Sequence, residues 1–265
     1  MSELPTEPLP DVVERIKQLQ QAKIQTGELI ITPFATFHFP YLSSPKFLDS
    51  VSKDTILALD LPTITTTAAK QALEDLKVKQ PVIITTLIPE DEEKWHIIPS
   101  LGIGGRAFSS TEIKLYFDPE HPAVVESLSQ QGARQVAHEI NHTARFQGNK
   151  IGNSLLDAII TEGLATYYEE RWEGEYLAMP WGNALTPAQI VNEWQKAKSE
   201  LEKSNYDYRG WFFGRNSGHP QWTGYSLGTA IVNEYFKKHP KDKMAKVVRK
   251  NSREILKDSG FNPTS

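Results

Sequence analysis

Apolar residues recur along this chain with two different periods, and the two signals separate along its length. Asp11 stands where it can cap a helix, with Val12, Val13, Ile16, Leu19 and Ile24 at helical spacing before Gly27. A strand is expected over 29–34, while the aromatic and proline-bearing stretch 34–45 has no clear period and is assigned no element. Residues 63–79 read as a helix. The run after Pro81 is short, β-branched and bounded by prolines, as a buried strand is. Two more strands are expected over 95–98 and 112–117, with Gly102, Gly104 and Gly105 between them marking tight turns or close backbone approach.

From about residue 119 the pattern changes to long helical periods, over 122–146, 154–172, 187–203, 223–238 and 241–250. Strands first and helices later predict an α+β fold, in which a small N-terminal sheet lobe lies over a helix pair and a mainly helical lobe follows. The expected division is 1–118 for the helix and sheet lobe and 119–265 for the helical lobe, together forming one catalytic unit.

The helix expected over 122–146 carries the most specific chemistry. His138-Glu139-Ile140-Asn141-His142 places two imidazoles four residues apart on one helix face, so both can reach one ion. Glu139, one residue round, can lean over the open side of that ion. A catalytic zinc needs a third protein ligand and leaves a fourth position for water. On the next helix, Leu155, Ile159, Glu162 and Thr166 fall on one stripe, so Glu162 shares a face with apolar residues. An inward carboxylate without a partner costs several kcal/mol. A divalent cation shared with the histidines is such a partner. Ser154 and Asp157 have capping-box spacing at the start of that helix, and Gly148 and Gly152 are expected to allow the reversal before it.

Composition narrows the chemistry further. The chain has no cysteine, which excludes thiolate catalysis and cysteine-ligated zinc, so a metal must use His, Asp or Glu. A formal charge of −4 gives no broad positive field for nucleic acid or anionic lipid, and neither is an expected partner. Six Trp, nine Tyr and eleven Phe suit a protein with a lined cleft. No segment approaches the ~20 apolar residues of a membrane span, and the first residues lack a secretory pattern. A cytoplasmic location is expected.

His138-Glu139-Ile140-Asn141-His142 and then Thr161-Glu162-Gly163-Leu164-Ala165, with nineteen residues between His142 and Glu162, resemble the gluzincin metallopeptidases, with thermolysin-like spacing. Val136-Ala137-His138-Glu139, the stretch 156–165 and Gly224-Tyr225-Ser226-Leu227-Gly228 resemble more closely a bacterial family described as predicted zinc-dependent proteases. The resemblance covers 100–238. It implies His138, His142 and Glu162 as zinc ligands, Glu139 as general base and a peptide or protein as substrate. One departure is evident. Thermolysin carries an Asp four residues after its ligand Glu to orient a histidine, whereas this chain has Thr166, and Asp157 lies on another face.

An oxyanion donor is also expected, and Tyr225 and His219 are the two candidates. Glycines 104 and 105 suggest an edge strand beside the cleft, where a peptide could pair. Arg209 and Arg215 flank Trp211, Phe212 and Phe213 as a possible side-chain pocket. An aminopeptidase typically carries an acid beside its glycine-rich strand, but Arg106 stands there, which favours an endopeptidase or oligopeptidase. Two other readings stay open: a zinc hydrolase of a non-peptide amide or ester, and a non-catalytic metal-binding regulatory module. A base at Glu139 has no purpose in the second.

Overall fold

A computed structural model of the chain describes residues 17, 18, 21–215 and 218–263. The helix expected from Asp11 lies for its larger part outside the described residues, and 21–25 is helical. Five strands form one mixed sheet: β1 (Leu29–Ile31), β2 (Ala35–His38), β3 (Val82–Leu87), β4 (Ile103–Ala107) and β5 (Glu112–Phe117), in the order β1-β2-β3-β5-β4. The two outer pairings are antiparallel and the inner two parallel. The unassigned stretch thus supplies β2, which alternates buried Ala35 and Phe37 with half-buried Thr36 and His38. The strand expected over 95–98 is instead a 3-10 turn at Lys94–His96, and the glycine-bearing segment after it is the edge strand β4.

The helices that follow the pattern are α1 (Leu61–Asp75), α2 (Val124–Gln147), α3 (Leu155–Glu169), α4 (Pro187–Lys198) and α6 (Thr223–Lys238). Among the short ones not evident in the periodicity are α5 (Tyr208–Phe213) and α7 (Ser252–Ser259). The expected 241–250 helix shrinks to one turn at Met244–Val247. The order is α+β, with the sheet in the N-terminal half and helices filling the C-terminal part. Among the described residues no helix is long and apolar enough to cross a membrane.

There are two apolar cores. One joins the sheet to α1 and α2 through Phe37, Ile84, Phe117, Ala69, Ala72, Ala137, Ile140 and Ala144. The other joins α3, α5, α6 and α7 through Leu155, Ile159, Leu164, Trp211, Leu227, Ile231 and Ile255. Helix α2 belongs to the first and most of α3 to the second, so their contact is the seam between the cores. The turn before α3 brings them together. Ser154 and Asp157 form the expected capping box, with Ser154 Oγ accepting from the Asp157 amide at 3.1 Å. The reversal itself uses Asn149, at φ 52°, rather than Gly148, while Gly152 leaves room for the Asp157 carboxylate, which a Cβ would meet at 2.0 Å.

Helices α3 and α6 cross backbone to backbone. A Cβ on Gly228 would lie 2.1 Å from the Ile159 carbonyl, and one on Gly163 would lie 2.2 Å from the Gly228 backbone. The crossing fixes the helix one residue from Glu162. Gly228→Ala should force the pair apart and destabilise the protein by about 1–3 kcal/mol, read in a denaturant titration. An unchanged midpoint would show that the crossing yields without strain.

Candidate metal centre

Helix α2 aims the two histidines and α3 the glutamate at one point in the seam. His138 and His142 are buried at 6% and 8% exposure, and their Nε2 atoms lie 3.1 Å apart. Glu162 Oε2 lies 3.5 Å from the first and 3.4 Å from the second. Four donors around a tetrahedral zinc, at bonds of about 2.0–2.1 Å, are separated by roughly 3.3 Å. The triangle fits that size, and its donor set is chemically apt. Burial alone would raise Glu162, but the His142 and His138 imidazoles outweigh it and hold the carboxylate down at about 2. Glu162 therefore stays charged inside the protein. These three residues could hold a metal ion.

The carboxylate missing from the position four residues after Glu162 is found at Glu169, seven residues after it and two turns along α3. Glu169 Oε1 lies 2.9 Å from His138 Nδ1, off the ideal donor direction of the ring. The same oxygen accepts from Trp181 Nε1 at 2.6 Å, and the Glu169 carbonyl accepts from Arg134 Nη1 at 2.6 Å. Glu169 is 1% exposed, so its charge is well placed to keep the proton on Nδ1 and the lone pair on Nε2. Burial would lower His138, but Glu169, Glu162 and Glu139 together raise it well above the usual imidazole range. Thr166 is buried on the inner side of α3 and does not substitute for the carboxylate. Asp157 belongs to the capping box and to Ser252 Oγ at 2.6 Å.

Glu169→Gln keeps the shape but removes the charge that orients His138. Metal affinity should fall by roughly 10- to 100-fold, read by competition with a chelator. An unchanged affinity would remove Glu169 from the centre.

Glu139 lies one residue round α2 from His138, beside β4 of the sheet. Its Oε2 accepts from the Ala107 amide of β4 at 2.7 Å, and its Oε1 accepts from Gln135 Nε2 at 2.9 Å, one turn back on the same helix. Burial pushes Glu139 above the ordinary carboxylate range, against the pull of His138 and His142. The expected close approach of the glycine strand is real. A Cβ on Gly105 would sit 2.7 Å from Glu139 Oε1, and one on Gly104 would sit 1.9 Å from the His96 carbonyl.

A cleft of about 590 Å³ opens over the centre, lined by His138, Glu139, His142 and Glu162 and walled by β4 on one side and by α5 and the start of α6 on the other. Of the two oxyanion candidates, Tyr225 lines this cleft, and burial together with the Glu162 charge raises its hydroxyl well above the usual phenol range. The structure does not bring His219 to the same place. Its ring stacks on Trp211 with centroids 3.8 Å apart, and its Nδ1 lies 2.7 Å from Glu193 Oε2. His219 is not among the residues lining the cleft. Tyr206 and Tyr208 line it and were not legible as site residues, because they lie in a segment without a strong period.

A family model described as predicted Zn-dependent protease (DUF2268) matches residues 62–257. The chain belongs to this family. The matched region runs from the start of α1 into α7, so the predicted Zn-dependent protease match includes β3 to β5 and every residue of the centre described above. Comparisons with curated proteins and with solved structures return no match.

Proposed function

We propose that the protein is a zinc-dependent peptidase of the gluzincin kind, in which His138, His142 and Glu162 hold the metal and Glu139 is the general base. The observation that supports it most is the triangle of two imidazole nitrogens and one carboxylate oxygen, 3.1 to 3.5 Å on edge, at the floor of a cleft. A bound zinc supplies a Lewis acid that polarises a carbonyl and makes a water acidic near neutral pH. The chain's own residues do the rest. Glu139, raised by burial and held by the Ala107 amide and Gln135, takes the proton of the attacking water and returns it to the leaving amine. Tyr225, whose hydroxyl stays protonated at neutral pH, donates to the developing oxyanion. Glu169 keeps His138 in the ligating tautomer. An extended peptide can lie along the edge strand β4, whose outer side has no strand partner among the described residues. Arg106 on that strand stands where an aminopeptidase carries an acid, so internal bonds are the preferred targets.

The test is metal analysis of the purified protein combined with peptide hydrolysis. About one zinc per chain is expected, with hydrolysis lost to a chelator and restored by zinc. A protein that takes up no divalent metal after reconstitution would refute the reading.

A further inference from the structure

The walls of the cleft carry positive charge that no carboxylate among the described residues pairs with. Among the described residues the only carboxylates lining the cleft are Glu139 and Glu162, both at the candidate metal centre. Lys94 at the rim is paired with Asp91 at 2.7 Å. Three arginines also line it: Arg106 on β4, and Arg209 and Arg215 in and just after α5 on the opposite wall. All three are exposed, and among the described residues none has a carboxylate within ion-pair distance. This stands against a chain whose formal charge is −4, and in which Lys196, Lys203, Lys250 and Arg253 do have carboxylate partners. A zinc ion would offset Glu139 and Glu162, which leaves the arginines as the net charge of the cleft.

The Arg106 guanidinium is also held in place. It lies 4.8 Å from the Phe108 ring centre and 5.4 Å from that of Trp95. Stacking on two rings limits the freedom of a long side chain while leaving its N–H groups open to a ligand. Trp222 also lines the cleft, in a left-handed conformation (φ 63°) that a bulky residue adopts at a cost.

Resting on the peptidase reading for its position in the reaction, we propose that this cleft selects carboxylate-bearing peptides, with Arg106 holding an acidic group on one side of the scissile bond and Arg209 with Arg215 holding one on the other. Arginine suits the task because its planar fork pairs with a carboxylate through two parallel hydrogen bonds. Several cations lining one groove also raise the local concentration of anionic ligands, an effect that salt weakens. The carboxylates come from Asp and Glu side chains or from a peptide C-terminus, and the two sources are separable by experiment.

The experiment uses the full zinc-loaded chain and three peptides of one length: one with Glu on both sides of the central bond and an amidated C-terminus, its Gln counterpart, and the Gln counterpart with a free C-terminus. Binding is read from the fluorescence of the tryptophans in the cleft, using Glu139→Gln so that peptide is not consumed, and cleavage is read with the unaltered protein. The Glu peptide should bind roughly 10-fold more tightly than its Gln counterpart at low salt, and the ratio should shrink at high salt. In Arg106→Gln combined with Arg209→Gln the ratio should fall to near one, with zinc content unchanged as the check on folding. Preference for the free C-terminus over the Glu side chains would place the recognised carboxylate at the peptide end. Equal binding of all three peptides, or a ratio that survives the double substitution, would overturn the proposal whether or not any peptide is cut. Selective binding without cleavage of any peptide would leave this inference standing and remove the peptidase reading.

Discussion

Glu139→Gln should leave the zinc site loaded and reduce turnover by roughly 10²- to 10⁴-fold. The substitution is nearly silent structurally. A Gln oxygen can still accept from the Ala107 amide at the 2.7 Å position, and Gln135 can turn its own amide to offer oxygen where it now offers Nε2. The lost property is chemical: an amide does not take a proton from water. Glu162→Gln makes the contrast. It replaces a carboxylate held near 2 by two imidazoles with a neutral group, so zinc affinity should fall by about 10-fold or more. Both variants lose activity, but only the second loses metal. Elemental analysis beside kcat separates them. Near-normal turnover in Glu139→Gln would take the base away from Glu139, and loss of its zinc would mean that the ligand set is different.

Arg145→Met should be among the most destabilising single substitutions in the chain, costing about 3–5 kcal/mol. Arg145 is fully buried on α2, three residues after His142, and four of its contacts leave the helix. Its Nε donates to Thr161 Oγ1 at 2.9 Å, Nη1 to the Val248 and Lys250 carbonyls at 3.1 and 3.2 Å, and Nη2 to Ser252 Oγ at 2.8 Å. Burial lowers its pKa to about 10, which leaves it charged at neutral pH. Met fills the space but leaves two carbonyls and the Asp157–Ser252 pair without their donor. The loss is read by urea titration, and Arg145→Lys should recover little of it, since a single ammonium cannot reach four acceptors on two segments. A cost below about 1 kcal/mol would show that water replaces the guanidinium at this joint.

The candidate metal ligands were legible because their signal is local. Two histidines four apart on a helix share a face whatever surrounds the helix, and Glu162 betrayed itself as a charge on an apolar stripe. The capping box at Ser154 was legible for the same reason: it involves residues three apart. Glu169 also lay within reach, since residues seven apart share a helix face. The resemblance to thermolysin points instead to the fourth position after Glu162, where Thr166 stands. Strand β2 has no legible period, and the turn at Lys94–His96 reads as a strand, because pieces of three or four residues carry too little period.

By itself the sequence determined which helix faces carry the candidate metal donors, where α3 begins, and that any metal must be bound by nitrogen and oxygen. Those properties depend on the 3.6-residue period and on composition, both of which are fixed before the chain folds. The tertiary structure alone decided that β4 passes close enough for the Ala107 amide to reach Glu139. It also set His219 against Glu193 and away from the cleft, and placed Arg106 opposite Arg209 and Arg215. Each of these juxtaposes residues more than twenty positions apart, across the seam of two cores or the walls of one groove. No local propensity encodes such distances; they follow from the packing of the sheet and of α6 against the helices that carry the centre.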